Sequence, residues 1–336
     1  MCGMKRSVEH ESFHGEEAVT LRFGRYLATV LPECGGNLIR FDDVERGLHF
    51  LHTPEESQMD HFKTGNPFVY GIPVLFPPNR YEDGKFTLNN RKYEFPVNEE
   101  STHNHLHGFL YNVPWSVEDT GCTDERAYVS LSLKVNKHHS VYRYFPHEFK
   151  ITICYALSEN GLAQDVRVEN TGVDPMPCML AFHTTVRVPF ADDSNLNDYQ
   201  FTATIGDRWE LTDRMLPTGR HQLLTPEERQ MQSSGVSPFF EMMDNHYSAL
   251  PQNGKNFMSL TDTRLGIRFI YDVGMKYKYW MIFNNFGKGE FFCQEPQTSL
   301  VNAPNTGLSV EETGIVMLTS GAAWSETSRF YVEDLK

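Results

Sequence analysis

The sequence predicts an all-β protein: a large antiparallel β-sandwich of two packed sheets, with a few short helices. Short apolar or alternating runs recur along nearly the whole chain, separated by Gly, Pro and Asn turns, which is the spacing of antiparallel strands. Only two stretches carry a helix start, and no repeat, linker or strand–helix alternation interrupts the pattern. The 336 residues, 40% hydrophobic, are ample for one large core, and β folds of this size commonly form one unit. A single domain over residues 1–336 is expected.

Taken in order, residues 18–23, 26–31 and 37–41 are the first strand runs, with Gly or Pro between them. Gly35-Gly36 marks a turn or a close backbone approach. Thr53-Pro54-Glu55-Glu56 predicts a helix to about Phe62, with Thr as cap, Pro in the first position and acids at the positive end of the dipole. The same signal returns at Thr225-Pro226-Glu227-Glu228. Strand runs follow at 128–135, 149–158, 162–169 and 176–188. Asn160-Gly161 is a hairpin turn between two of them, and Asn170-Thr171-Gly172 is another turn. Residues 192–198 read as an exposed polar loop. The last strand runs are 257–261, 264–272, 277–284, 291–294 and 314–324.

Lys and Arg number 30 against 44 Asp and Glu, a net charge of −14. So acidic a surface disfavours nucleic acid and anionic membranes as partners. No apolar run is long enough to span a membrane; residues 68–78 come nearest and are broken by prolines. Residues 1–6 carry no apolar leader, so no secretory signal is expected. The six cysteines (Cys2, Cys34, Cys122, Cys154, Cys178, Cys293) show no CxxC spacing. They read as free thiols in a reducing cytoplasm.

Residues 66–115 read as a pocket wall. Gly and Pro break the apolar run there, which rules out a long helix, and the run ends on the hydrogen-bonding pair Asn79-Arg80. His103, His105 and His107 follow at every second position. A strand would put them on one face, as a metal site needs, but no carboxylate follows at a suitable spacing and no metal is expected. Three further residues stand out. His183 ends the apolar run 176–188, where a core histidine bonded to backbone is the plain alternative. Asp244 opens Asp244-Asn245-His246-Tyr247, residue types that also make turns. Glu295 follows Phe291-Phe292-Cys293-Gln294 and precedes Pro296, a setting that solvates a carboxylate poorly unless something recruits it. Dinucleotide, P-loop and GxSxG motifs are absent.

Five pieces in this order resemble the aldose 1-epimerase (galactose mutarotase-like) family. They are residues 71–80 (Gly-Ile-Pro-Val-Leu-Phe-Pro-Pro-Asn-Arg), His107-Gly108-Phe109 with Pro114-Trp115, and Asn170-Thr171-Gly172 leading to Phe182-His183. Asp244-Asn245-His246-Tyr247 and Gln294-Glu295-Pro296 complete the set. The match spans roughly residues 17 to 330. The resemblance implies a supersandwich that holds a monosaccharide in a groove and interconverts its α and β anomers without metal or organic cofactor. It implies Glu295 as general base on the anomeric hydroxyl and His183 as general acid on the ring oxygen. Asn79, Arg80, His107 and Asp244 would bind hydroxyls or assist near the ring oxygen, leaving His103 and His105 to structural roles. Glu and His can both titrate near neutrality once burial and neighbours tune them. Thr185 stands where the galactose-type branch often has an aromatic residue, and residues 279–285 lack that branch's glutamine. His-Gly-Phe looks more like the hexose-6-phosphate mutarotase branch, yet Tyr111 replaces its phosphate-binding Arg. Three expectations therefore compete: a mutarotase of a free hexose or related aldose, a phosphosugar mutarotase, and a sugar-binding protein without turnover. A monomer or homodimer is expected.

Overall fold

The computed structural model describes residues 5–335; Cys2 and most of the N-terminal segment examined for a leader lie outside the described residues. Two eight-stranded sheets dominate, their neighbouring strands antiparallel. The first runs, in spatial order, Ser116–Cys122, Ala127–Val135, Phe149–Ser158, Gly161–Asn170, Ala323–Asp334, Ile267–Asp272, Phe257–Asp262 and Tyr199–Ala203. The second runs Pro217–Gln222, Ile205–Leu211, Asp244–Ala249, Tyr279–Phe283, Glu290–Gln297, Ala181–Phe182 and Val74–Leu75. Thr184–Val188 also pairs with Glu290–Gln297. An N-terminal meander from Arg6–Phe13 to Leu48–His49 forms a third, five-stranded sheet.

Period-two burial holds the layers together. On Phe149–Ser158, Ile151, Ile153, Tyr155 and Leu157 are fully buried, while Lys150, Thr152 and Cys154 are only part-buried. They share one core with Phe182, Trp280, Ile282 and Phe292 of the second sheet and Phe41 and Phe50 of the meander. Phe50 stacks on Phe269 at 4.4 Å, and Tyr271 on Phe330 at 4.1 Å. No helix among the described residues is long and apolar enough to cross a membrane.

The sandwich is as expected, with the separate meander added. Gly35 marks a close approach, since a Cβ there would lie 2.0 Å from the Tyr111 carbonyl oxygen. The second helix forms at Pro226–Met231 under the Thr225 cap. The first does not begin at Thr53, whose hydroxyl donates to the Ile39 carbonyl instead. Glu55 caps a single 3-10 turn, Glu56–Gln58, and a π turn follows at His61–Gly65. A third helix, Val310–Thr313, was not expected; Ser309 and Glu312 form its capping box, a readable signal. The hairpin reverses one residue early: Ser158 pairs with Gly161, which leaves Glu159-Asn160 as the loop. Two long runs also divide. Residues 176–188 form three short strands. Residues 314–324 form Val316–Leu318 and the start of the long strand Ala323–Asp334.

Candidate active site

Strand register brings the two central residues together. Ala181 pairs with Gln297 and Thr184 with Gln294, so His183 stands opposite Glu295 across the ladder. Opposed residues on neighbouring strands point to the same face. His183 Nε2 lies 3.3 Å from Glu295 Oε1, and both side chains are buried. The interruption at His183 has a cause: its N–H donates to the Pro73 carbonyl and that of Thr185 to the Gly71 carbonyl. The segment 66–115 thus pairs directly with the histidine strand, and Val74 meets Phe182.

The same segment folds back as a ribbon, with Arg80–Glu82 paired to Asn104–Leu106. The His107 N–H donates to the Asn79 carbonyl, which seats His107 beside Asn79-Arg80. Asn79 and His107 both have positive φ, 57° and 66°. Gly108 follows at φ +67°, where a Cβ would lie 2.3 Å from the Phe76 carbonyl oxygen; only glycine passes there. Asn79 is buried, and its side-chain oxygen accepts from the Arg80 N–H at 3.0 Å. The His107 ring meets His183 edge-on at 5.1 Å. Phe68 packs against His107 at 4.4 Å and Tyr111 at 4.6 Å.

Arg80 is clamped. Its Nε donates to both oxygens of Glu99 at 3.1 and 3.0 Å, and Nη2 donates to Oε1 at 2.9 Å. Asp244 Oδ2 lies 3.5 Å from the same Nη2. Thr102 in turn donates to Glu99. Asp244 is on the strand Asp244–Ala249, not in a turn, and pairs with Phe283, one strand from Glu295.

Burial sets the electrostatics. It raises the Glu295 carboxyl to about 8; the Asp244 charge adds to this and Arg80 opposes it. Burial lowers His183 to about 3, and Arg80 contributes. Burial, then the neighbouring His183 and Arg80, hold His107 well below its ordinary value. An ion pair would move Glu295 and His183 the other way. Burial therefore favours the arrangement in which the pair shares one proton and carries no net charge. Burial raises Asp244 while Arg80 pulls it down. Burial alone would lower Arg80, but Asp244 and then Glu99 hold it above its ordinary value. Within this group three buried polar atoms have no partner: Glu295 Oε2, His107 Nδ1 and His183 Nδ1. A polyhydroxylated ligand would satisfy such atoms.

The comparisons with known proteins decide the family. The family model described as aldose 1-epimerase matches residues 17–330. This chain belongs to the aldose 1-epimerase family. Among solved structures, a galactose mutarotase-like protein of Clostridium acetobutylicum is 32% identical, covers 98% of this chain and 99% of its own, and superposes with a TM-score of 0.94. Galactose 1-epimerase of Lactobacillus acidophilus NCFM shares the fold at 14% identity, covering 99% of this chain and all of its own, with a TM-score of 0.72. The Escherichia coli K12 protein YihR is 23% identical over 211 residues, 62% of this chain; the match spans 61% of that relative's length.

Within this aldose 1-epimerase fold the six residues singled out from sequence, Asn79, Arg80, His107, His183, Asp244 and Glu295, lie in one contiguous group. The histidine triplet does not share a face. His103 is exposed at φ 55° against Asp83. His105 is buried with Nδ1 on the Pro96 carbonyl at 2.8 Å. The left-handed residues His103 and His107 break the strand alternation. Among the described residues no group of three or more His, Cys, Asp and Glu is placed to hold a metal ion. Sequence reading missed Glu99 and Phe68. Glu99 sits in a polar loop with no motif around it, and Phe68 was read as one of a run of apolar residues. A polar cavity of about 590 Å³ opens elsewhere, lined by Arg40, Asp42, His49 and Arg187 among others. Arg40 and His49 there sit on Asp42, and Arg187 on Asp192, and none of the six residues lines it.

Proposed function

We propose that the chain is a mutarotase interconverting the α and β anomers of a free hexose or related aldose. The observation that carries this reading is the buried His183–Glu295 pair, 3.3 Å apart on opposed strands. The anomeric hydroxyl and the ring oxygen are bonded to the same carbon, so the base and acid that serve them must stand close together. In the proposed cycle Glu295 takes the proton of the C1 hydroxyl while His183 gives a proton to the ring oxygen. The C1–O bond to the ring breaks and the open-chain aldehyde forms. Rotation about C1–C2 presents the other face, and ring closure runs the two transfers backwards. Each positioned transfer contributes roughly 10²–10⁴-fold, and orientation adds to that. Two proton transfers call for no cofactor.

Arg80 and Asp244 bind ring hydroxyls, oriented by Glu99, and His107 assists near the ring oxygen with its unpartnered Nδ1. Arg80 is already matched by two carboxylates, which favours an uncharged sugar over a 6-phosphate. The five described cysteines are unpaired, in keeping with a cytoplasmic enzyme.

The test is anomer exchange on freshly dissolved α-sugars, followed by polarimetry or NMR, across aldoses and their 6-phosphates. Acceleration on free sugars that is lost in Glu295→Gln is expected. Sugar binding without exchange would leave a sugar-binding protein, and exchange limited to 6-phosphates would move the substrate to the phosphosugars.

A further inference from the structure

We infer that Phe68 is the aromatic wall of the sugar site, and that Thr185 and His52 are positioning residues that fix it there. The inference rests on the mutarotase reading above and names part of its binding surface.

Phe68 belongs to the short 3-10 turn Pro67–Val69. Its ring is only part-buried, whereas Val69 and Tyr70 beside it are buried. The ring thus keeps part of its surface open to solvent although its neighbours in the chain are sealed in the core. It is fixed from several sides. Asn66 Oδ1 accepts from the Phe68 N–H at 3.2 Å. The Thr185 hydroxyl donates to the Phe68 carbonyl at 2.8 Å. His52 Nδ1 donates to the next carbonyl, that of Val69, at 2.5 Å. The His52 ring is itself stacked on Tyr70, centroids 5.0 Å apart and planes within 9°.

These anchors aim the ring at the chemistry. Phe68 lies 4.4 Å from His107 and 5.8 Å from His183. Thr185 follows His183 by two residues on the same chain segment, so one segment sets both the acid and the wall. A pyranose turns C–H groups to its faces and hydroxyls to its rim. The rim has Arg80 and Asp244, and a flat apolar ring beside the histidines suits a face.

The test uses the full chain and NMR anomer exchange on glucose and galactose. Phe68→Leu should raise KM about five- to tenfold, the value of one aromatic contact, with kcat moving less. Thr185→Val keeps the shape and removes the hydroxyl; it should raise KM in the same direction, and Thr185→Ser should restore it. In the double variant Phe68→Leu/Thr185→Val the two effects should not multiply, because Thr185 acts through the ring. KM within twofold of wild type in Phe68→Leu overturns the wall. Multiplying effects, or no rescue by Ser, overturn the positioning role. A wild-type chain that exchanges no sugar overturns the mutarotase reading instead. Calorimetric sugar affinities of wild type and Phe68→Leu then decide the wall, and equal affinities overturn it.

Discussion

Replacing Glu295 by Gln should abolish exchange and at the same time stabilise the fold at neutral pH. The carboxyl is buried and holds its proton to about pH 8, against an ordinary value of 4.5. Between those values the folded chain keeps a proton that the unfolded chain has released. Stability is therefore full below about 4.5 and is lost as pH rises through about 8. From pH 4.5 to 7, at about 1.4 kcal/mol per pH unit, the group removes about 3 kcal/mol. Glutamine has the same shape and no titration, so the variant should match wild type near pH 4.5 and exceed it by about 3 kcal/mol at pH 7. For 336 residues that is a Tm higher by about 4 °C. His183, held near 3, lowers stability below pH 6.5 in both chains, so the difference between the two curves is the readout. Thermal or urea unfolding at several pH values from 4.5 to 8 measures it. Parallel stability–pH curves for the two chains would refute the buried, protonated carboxyl.

Three further outcomes follow from the same geometry. The exchange rate should be flat where the pair shares one proton and fall as pH rises past about 8, where Glu295 loses it, and again toward about 3, where His183 gains a second; a pH–rate profile measures both limbs. His183→Asn should lower kcat by roughly 10²–10⁴-fold with a smaller change in KM, checked by saturation kinetics on an accepted sugar. Glu99→Ala releases the Arg80 fork from its two-oxygen grip and should raise KM more than it lowers kcat, measured in the same assay, because Arg80 then loses its fixed orientation.

The fold was legible wherever burial alternates. Residues 149–158 and 162–169 read as strands because one face of each is in the core. Arg6–Phe13 and Ser116–Cys122 did not, since they are almost wholly unburied and carry no apolar period. They form at the edges of their sheets by backbone pairing, with a few side chains such as Val8 and Phe13 packed against the cores. The candidate site was legible through residue types that are costly to bury without a purpose, Glu295 above all. Glu99 was not, because a carboxylate in a polar loop looks like any other until the ribbon Arg80–Glu82 is folded. The triplet reading of His103, His105 and His107 failed for a local reason. Left-handed backbone at His103 and His107 cannot be seen in the residue names.

The electrostatics also bear on why a reversible isomerisation suits this pair. Burial disfavours charge on Glu295 and on His183 alike, so the resting pair holds one proton and no net charge. In the proposed cycle, moving that proton from Glu295 to His183 makes the base and the acid while leaving the net charge of the buried site unchanged. When the sugar opens, Glu295 regains a proton and His183 loses one, and the resting arrangement returns. Neither step changes the net charge of the buried site, where an unpaired charge is expensive. The free sugar proposed as substrate is uncharged and adds none. A sugar phosphate would bring a dianion next to Glu99 and Asp244, with Arg80 already matched. In this reading one cross-strand register, His183 opposite Glu295, provides both the proximity that the two transfers need and the charge neutrality that permits them to be buried.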